Sequence, residues 1–194
     1  MSQAGGRPRA RTRSFSLTGV GYHLLAVVTI TLLGLAVYAR SLDGPFVFDD
    51  LNGIAQNRLL HSLTPLSRFL VLSTRPLTDF SYALSYAVGE MDPWPFHAIS
   101  LLLHVLNAVL LYSLALRTLE LAGSVRCDAG QRRLIAWAAA ALFVTHPMTT
   151  ESVAYLSSRS EVLVAFFYLL TLRCYVAAAT TPRRSVRVAG AVVK

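Results

Sequence analysis

Residues 19–39 contain no Asp, Glu, Lys or Arg. An uncharged run of about 20 residues matches the hydrocarbon thickness of a bilayer when it is helical, because a helix satisfies its own backbone in lipid. This run limits the fold more than any other feature. Apolar stretches with one or two charges follow at 97–119 and 161–180, and a shorter one at 134–146 ends at His146-Pro147. The short run is expected to start near Gln131 and to be packed tightly rather than exposed to lipid throughout. Val186 to Val193 reads as the beginning of a fifth. The expected fold is an all-α polytopic membrane protein with about four complete transmembrane helices, at 19–39, 97–119, 131–146 and 161–180. With 54% hydrophobic residues, 14% charged residues and a mean hydropathy of +0.51, the chain is more apolar than a soluble core of this size requires.

The charges are placed unevenly. Net charge is +8, and Lys194 is the only lysine. The arginines flank apolar runs and do not interleave with aromatics in a groove, which argues against nucleic acid as a partner. They read instead as a topology signal. Residues 1–18 carry Arg7, Arg9, Arg11 and Arg13 and are expected to be a disordered cytoplasmic tail. The 117–133 loop holds Arg117, Arg126, Arg132 and Arg133, and Arg183, Arg184 and Arg187 follow the last full run. The 40–96 loop has Arg40, Arg58, Arg68 and Arg75 against Asp43, Asp49, Asp50, Asp79, Glu90 and Asp92. Basic loops stay in the cytoplasm, so the N-terminus is expected there, with outer loops 40–96 and 147–160 on the opposite, lumenal or external side. A basic start before an apolar run also describes a signal peptide, but the run is long for one, so a retained anchor is the better reading. Cys127 and Cys174 fall on the cytoplasmic side, far from any metal-ligand spacing, and receive no role.

The long loop has helical patterns of its own. Leu63, Leu66, Phe69 and Leu70 are helically spaced, and Thr64-Pro65 supplies a start signal. Leu77, Phe80, Leu84 and Val88 repeat the pattern before Gly89. Two amphipathic helices are expected, either lying on the membrane or packed on the bundle. No internal repeat and no glycine-rich phosphate loop is present.

Four groups of polar residues are candidates for chemistry. Asp49-Asp50 follows the first span by about ten residues, where carboxylates can accept a hydroxyl proton or bind a metal. Adjacent side chains diverge, so one aspartate is expected to act and the other to orient it; the bland alternative is a helix N-cap. His97, Ser100, His104 and Asn107 form one polar stripe on the second span, facing the bundle for hydrogen bonding or function, with His97 nearest the surface. Between His146 and Glu161, the residues Glu151, Tyr155, Ser158 and Glu161 share a helical face. Arg159 there could grip a phosphate bidentately or form a surface pair with Glu161 or Asp49. Arg75, fixed toward an extended backbone by Pro76, is either a phosphate ligand or a snorkelling headgroup contact.

Taken in order, Phe46-Val47-Phe48-Asp49-Asp50, Asn57, Arg75-Pro76-Leu77-Thr78, Phe96-His97, Leu102 to Asn107, and His146-Pro147 through Glu151-Ser152-Val153-Ala154-Tyr155 to Arg159-Ser160-Glu161 carry a resemblance. From about residue 20 to residue 180 the chain resembles the N-terminal membrane part of the transmembrane and tetratricopeptide-repeat-containing proteins. That family is similar to the protein O-mannosyltransferases of the GT-C glycosyltransferase superfamily. The resemblance implies a partial GT-C-like bundle over 19–194, a polyprenyl- or dolichyl-phosphate sugar donor, a Ser/Thr hydroxyl on a protein acceptor, and membrane lipid around it. It implies Asp49 or Asp50 as the catalytic carboxylate, and Arg75, Arg159 and His146 facing the donor phosphate. His97, His104, Asn107, Glu151 and Glu161 would be supporting polar groups. A divalent metal, Mg or Mn, occurs in parts of the superfamily, and nothing in this sequence demands one.

Members of the superfamily have more helices, and this family ends in tetratricopeptide repeats. The chain is therefore expected to be the N-terminal piece of such an enzyme. The alternatives are a non-catalytic membrane anchor or scaffold, an inactive truncated product, and a transporter fragment. The last is disfavoured by charge concentrated in loops.

Overall fold

A computed structural model describes residues 19–122 and 127–181. The basic tail, Arg126, the arginines at 183, 184 and 187, and the apolar stretch 186–193 lie outside the described residues. Among those described, every element is helical. Three helices are long and apolar enough to cross a membrane: Gly19–Ser41, Pro93–Leu121 and Leu156–Thr180.

α1 spans Gly19–Tyr38 and ends in a tight turn, where Ser41 Oγ donates to the Tyr38 carbonyl at 2.8 Å. After the long loop, α4 covers Pro93–Leu121. Asp92 starts it by accepting from Trp94 N at 3.0 Å, and Pro93 occupies the first position, where no amide is needed. α5, Ala129–Thr145, opens with a reciprocal capping box between Asp128 and Gln131. At 17 residues it is shorter than the three long helices. α7 spans Arg159–Thr180.

α4 is the centre of the bundle, with α5 and α7 against it and α1 laid across α4 and α5. Ile30, Leu101, Val105, Ala108, Ala136, Ala140 and Val144 form its core. Small residues allow the close approach. A Cβ on Gly34 of α1 would lie 2.9 Å from a Val105 methyl and 3.3 Å from a Val144 methyl. The polar stripe of α4 faces inward. His104 stacks on Phe143 with ring centroids 5.0 Å apart, and Asn107 Nδ2 donates to the Val162 carbonyl at 3.0 Å.

The loop between α1 and α4 folds over one end of the bundle. α2 is Ser67–Leu72, and α3 is Pro76–Gly89. α2 begins two residues later than the Thr64-Pro65 signal indicates. A separate turn at Arg58–His61 precedes it, and Arg68 donates to the carbonyl of Leu59 at 2.8 Å. A second, smaller core of Ile54, Leu60, Tyr82, Phe96 and Leu156 fixes this layer to the bundle. α3 turns its small and polar residues inward (Thr78, Tyr82, Ala83, Ser85) and leaves Leu77, Phe80, Leu84 and Val88 exposed.

Candidate active site

The cleft is built from the segment between α5 and α7. This segment is not one helix. A turn at Pro147–Thr149 leads into α6, Thr150–Ala154, which stops at Tyr155, whose ψ of 108° breaks the spiral. A second turn, Leu156–Ser158, feeds α7. The break turns the backbone of 155–158 toward the loop, where three groups hold it. Tyr82 Oη donates to the Leu156 carbonyl at 2.6 Å. Asp50 Oδ1 accepts from Ser157 N at 2.8 Å and from the Ser157 hydroxyl. Asp50 Oδ2 accepts from Val47 N at 3.2 Å, closing its own turn. Asp50 is 1% exposed. It is a tie between two loops, and both of its oxygens are in use.

Arg159 is the second tie, and it is completely buried. Its Nε donates to Ser100 Oγ at 3.1 Å, Nη1 to the Ser81 carbonyl and Ser85 Oγ at 3.0 Å each, and Nη2 to the Phe96 carbonyl at 2.6 Å. The guanidinium carbon lies 4.4 Å from the Tyr82 ring centroid. A planar fork with five donors suits this geometry, since it reaches α3 and α4 at once. Burial pushes the Tyr82 phenol up to about 12, a rise that the Arg159 charge opposes and Asp50 supports. Tyr82 therefore stays a neutral donor at any ordinary pH.

These ties leave an open cleft of about 510 Å³. Asp49, Asn57, Arg75, Asp79, Tyr155 and Glu161 are among its lining groups. Asp49 is exposed, whereas its neighbour is not. The two part because Phe48 takes a left-handed φ of 47°, costly for a bulky residue, with its side chain 82% exposed. That bend sends Asp50 inward and Asp49 to the cleft. Arg75 enters from the start of α3. Its amide donates to Ser73 Oγ at 2.8 Å, and the Ser73 hydroxyl donates to Asp79 Oδ2 at 2.7 Å. Its backbone, at φ −133° and ψ 67°, stops short of the fully extended form expected before proline.

No family model matches the chain, and no solved structure matches it. Curated proteins do. Protein O-mannosyl-transferase TMTC4 of Mus musculus is 33% identical over 172 residues, which is 77% of this chain and 22% of that protein. Protein O-mannosyl-transferase TMTC2 of Homo sapiens is 29% identical over 181 residues, 86% of this chain and 20% of that protein. Protein O-mannosyl-transferase Tmtc3 of Drosophila melanogaster is 29% identical over 192 residues, 87% of this chain and 21% of that protein. This chain belongs to the TMTC family. It spans about a fifth of the length of these relatives.

For this family member, the residues singled out from sequence part into two sets. Asp49, Arg75 and Glu161 meet in the cleft; Glu161 also accepts from Ser152 Oγ at 3.4 Å. Tyr155 and Ser158 join them there, whereas Asp50, Arg159, His146, His97, His104, Asn107 and Glu151 lie outside its lining. Arg159, expected at the mouth as a phosphate ligand or a surface ion pair, is instead buried with its donors spent on protein. His146 is exposed, and its Nδ1 accepts from Met148 N at 3.2 Å. His97 Nε2 lies 3.1 Å from the Gly44 carbonyl, so it anchors the loop, while His104 and Asn107 serve packing within the bundle. Glu151 leaves the face shared by Tyr155, Ser158 and Glu161, because α6 ends between them.

Sequence reading missed Asp79, Tyr82 and Ser157. The first two had a signal, since Thr78, Asp79, Tyr82 and Ser85 lie opposite the apolar stripe of α3. Among the described residues, no three His, Cys, Asp or Glu side chains gather to hold a metal ion. With Asp50 committed to Val47 and Ser157, the aspartate pair does not make a seat for Mg or Mn.

Proposed function

We propose that this chain is the membrane portion of a glycosyltransferase that moves a sugar, mannose by kinship, from a polyprenyl- or dolichyl-phosphate donor to a Ser/Thr hydroxyl of a protein. The observation that carries this reading is the meeting of exposed Asp49 with Arg75 in one polar cleft. An apolar groove of about 460 Å³ leaves the same arginine between α3 and α7, over Leu77, Leu163, Val164 and Phe167. A lipid-linked phosphate needs this combination: a cation at the surface and an apolar track into the membrane.

In this mechanism the acceptor hydroxyl attacks the anomeric carbon as the bond from that carbon to the phosphate oxygen breaks. Asp49 takes the hydroxyl proton. The phosphate leaves with the electron pair, and Arg75 stabilises the charge that develops on it. A single displacement inverts the anomeric configuration. Asp50 and Arg159 hold the cleft walls and touch neither substrate.

The layout supports a four-span arrangement. Tyr38 Oη at the end of α1 lies 3.2 Å from Thr149 Oγ1 just past α5, so α5 runs the depth of the bundle. The cleft then faces the side opposite a cytoplasmic N-terminus. α2 and α3 lie on the membrane surface with Leu70, Val71, Leu77 and Val88 toward lipid, which accounts for their exposed apolar faces.

The test is mannose transfer from dolichyl-phosphate mannose to a Ser/Thr-rich polypeptide. It uses the reconstituted chain, and also a full-length human relative carrying residues 19–181 in place of its matching segment. Asp49→Asn is expected to lower turnover about 10²–10⁴-fold with the fold intact. Arg75→Gln is expected to raise the donor KM. Full transfer by Asp49→Asn in an active graft would remove Asp49 as the base.

A further inference from the structure

The end of the bundle away from the cleft holds a second cavity, of about 400 Å³. His23 Nδ1 lies 3.0 Å from Tyr112 Oη, which fixes the start of α1 beside the late part of α4. Tyr112 is 15 residues beyond His97, about 22 Å down the helix. The cavity opens between α1 and α5. Ala26 and Thr29 line one side, Leu134 and Trp137 the other, and Tyr22 and Arg133 stand at the mouth. Trp137 Nε1 donates to Thr29 Oγ1 at 2.8 Å, so the indole is satisfied and the slot presents apolar surface. Tyr22 and Leu134 are 40% and 62% exposed, so the slot opens outward from the bundle.

Arg133 lies over the Tyr22 ring, 4.8 Å from its centroid. No carboxylate pairs with it, since the ion pair found among the described residues joins Arg117 to Glu120. All ten acidic residues of the chain are among those described. Asp128, the nearest acid in sequence, is occupied as the cap of α5. Arg132 Nε, beside it, is buried without a hydrogen-bond partner. The slot therefore joins an uncompensated cation at the end of two helices to an apolar trough along them.

We propose that this slot binds one anionic phospholipid, its phosphate on Arg133 and an acyl chain along Ala26, Thr29, Leu134 and Trp137. Charge selects the anionic class. A zwitterionic headgroup brings its own cation against Arg133 and its sequence neighbour Arg132, neither of which has a carboxylate partner among the described residues. The proposal concerns the opposite end of the bundle and stands whether or not the cleft transfers sugar.

Trp137 is a built-in reporter, because the chain has only two tryptophans. With Trp94→Phe as background, the full chain is reconstituted in phosphatidylcholine vesicles containing either dibrominated phosphatidylglycerol or dibrominated phosphatidylcholine. Bromine quenches an indole on contact. The anionic lipid is expected to quench Trp137 at about fivefold lower mole fraction. Arg133→Gln abolishes that preference, Arg133→Lys retains it, and Arg117→Gln, already paired with Glu120, leaves it intact. Equal quenching by both lipids overturns the proposal. So does the absence of quenching, which means protein covers the slot, and so does a preference that survives Arg133→Gln. The two-lipid comparison needs no substitution at Arg133, so it decides even if that variant misfolds.

Discussion

Replacing Arg159 separates a structural fork from a phosphate ligand. The guanidinium makes five bonds: one from Nε, three from Nη1 (the longest, to Ser81 Oγ, at 3.4 Å) and one from Nη2. In Arg159→Leu the three serine hydroxyls can rely on carbonyls of their own helices, since Ser81 Oγ already donates to the Thr78 carbonyl at 2.6 Å and Ser85 Oγ to the Ser81 carbonyl at 3.2 Å. The carbonyls of Ser81 and Phe96 lose charge-assisted bonds worth about 1.5–3 kcal/mol each, giving a loss of about 3–6 kcal/mol. Arg159→Lys keeps the charge but not the fork. An ammonium has three donors at one point and cannot span Ser100, Ser85 and Phe96 together, so a loss of about 2–3 kcal/mol is expected. The assay is reversible unfolding in mixed micelles titrated with denaturing detergent and followed by circular dichroism. Limited proteolysis at 155–158 reports the local effect. If Arg159→Lys is as stable as the parent, or Arg159→Leu costs under about 1 kcal/mol, the buried-fork reasoning is wrong.

Three further outcomes follow from the same contacts. Asp50→Asn turns a two-oxygen acceptor into a group whose NH₂ must face either Val47 N–H or Ser157 N–H; we expect a loss of about 1–3 kcal/mol and faster proteolysis of residues 43–61, with neither change in Asp49→Asn. Gly34→Leu forces α1 away from Val105 and Val144 and should destabilise the bundle by about 1–3 kcal/mol, with Gly34→Ala intermediate; unchanged unfolding in both variants contradicts the close packing. Tyr82 binds its proton more tightly folded than unfolded, with a pKa of about 12 against 10.0. Its stabilising contribution is therefore complete below pH 10.0 and lost as pH rises toward 12. The alkaline difference spectrum between the parent and Tyr82→Phe should show no phenolate near pH 10, and a normal titration there refutes the burial.

The helices were legible because their causes are local. An uncharged run and an apolar stripe at helical spacing each act within a few residues, and so do the capping box of Asp128 and Gln131 and the first-turn prolines that the structure adds at the helix starts. The polar stripe of α4 was legible too, since helical period alone sends His97, Ser100, His104 and Asn107 inward together. The site was legible only as a list. Nothing in Asp49-Asp50 says which carboxylate is free, because the answer depends on Ser157, 107 residues away, and on a left-handed bend at Phe48. Nothing near Arg159 says that it is buried, because its partners lie 59 to 78 residues earlier, on α3 and α4. The break at Tyr155, which took Glu151 out of the cleft, is likewise enforced by Tyr82 and Asp50 pulling on the neighbouring residues. Sequence by itself determined where the long helices lie and which of their faces are apolar, since backbone period and solvent preference are properties of neighbours. Only the tertiary structure decided which polar groups are consumed in holding the fold and which remain open to a substrate, since a polar side chain acts according to the partner that reaches it first.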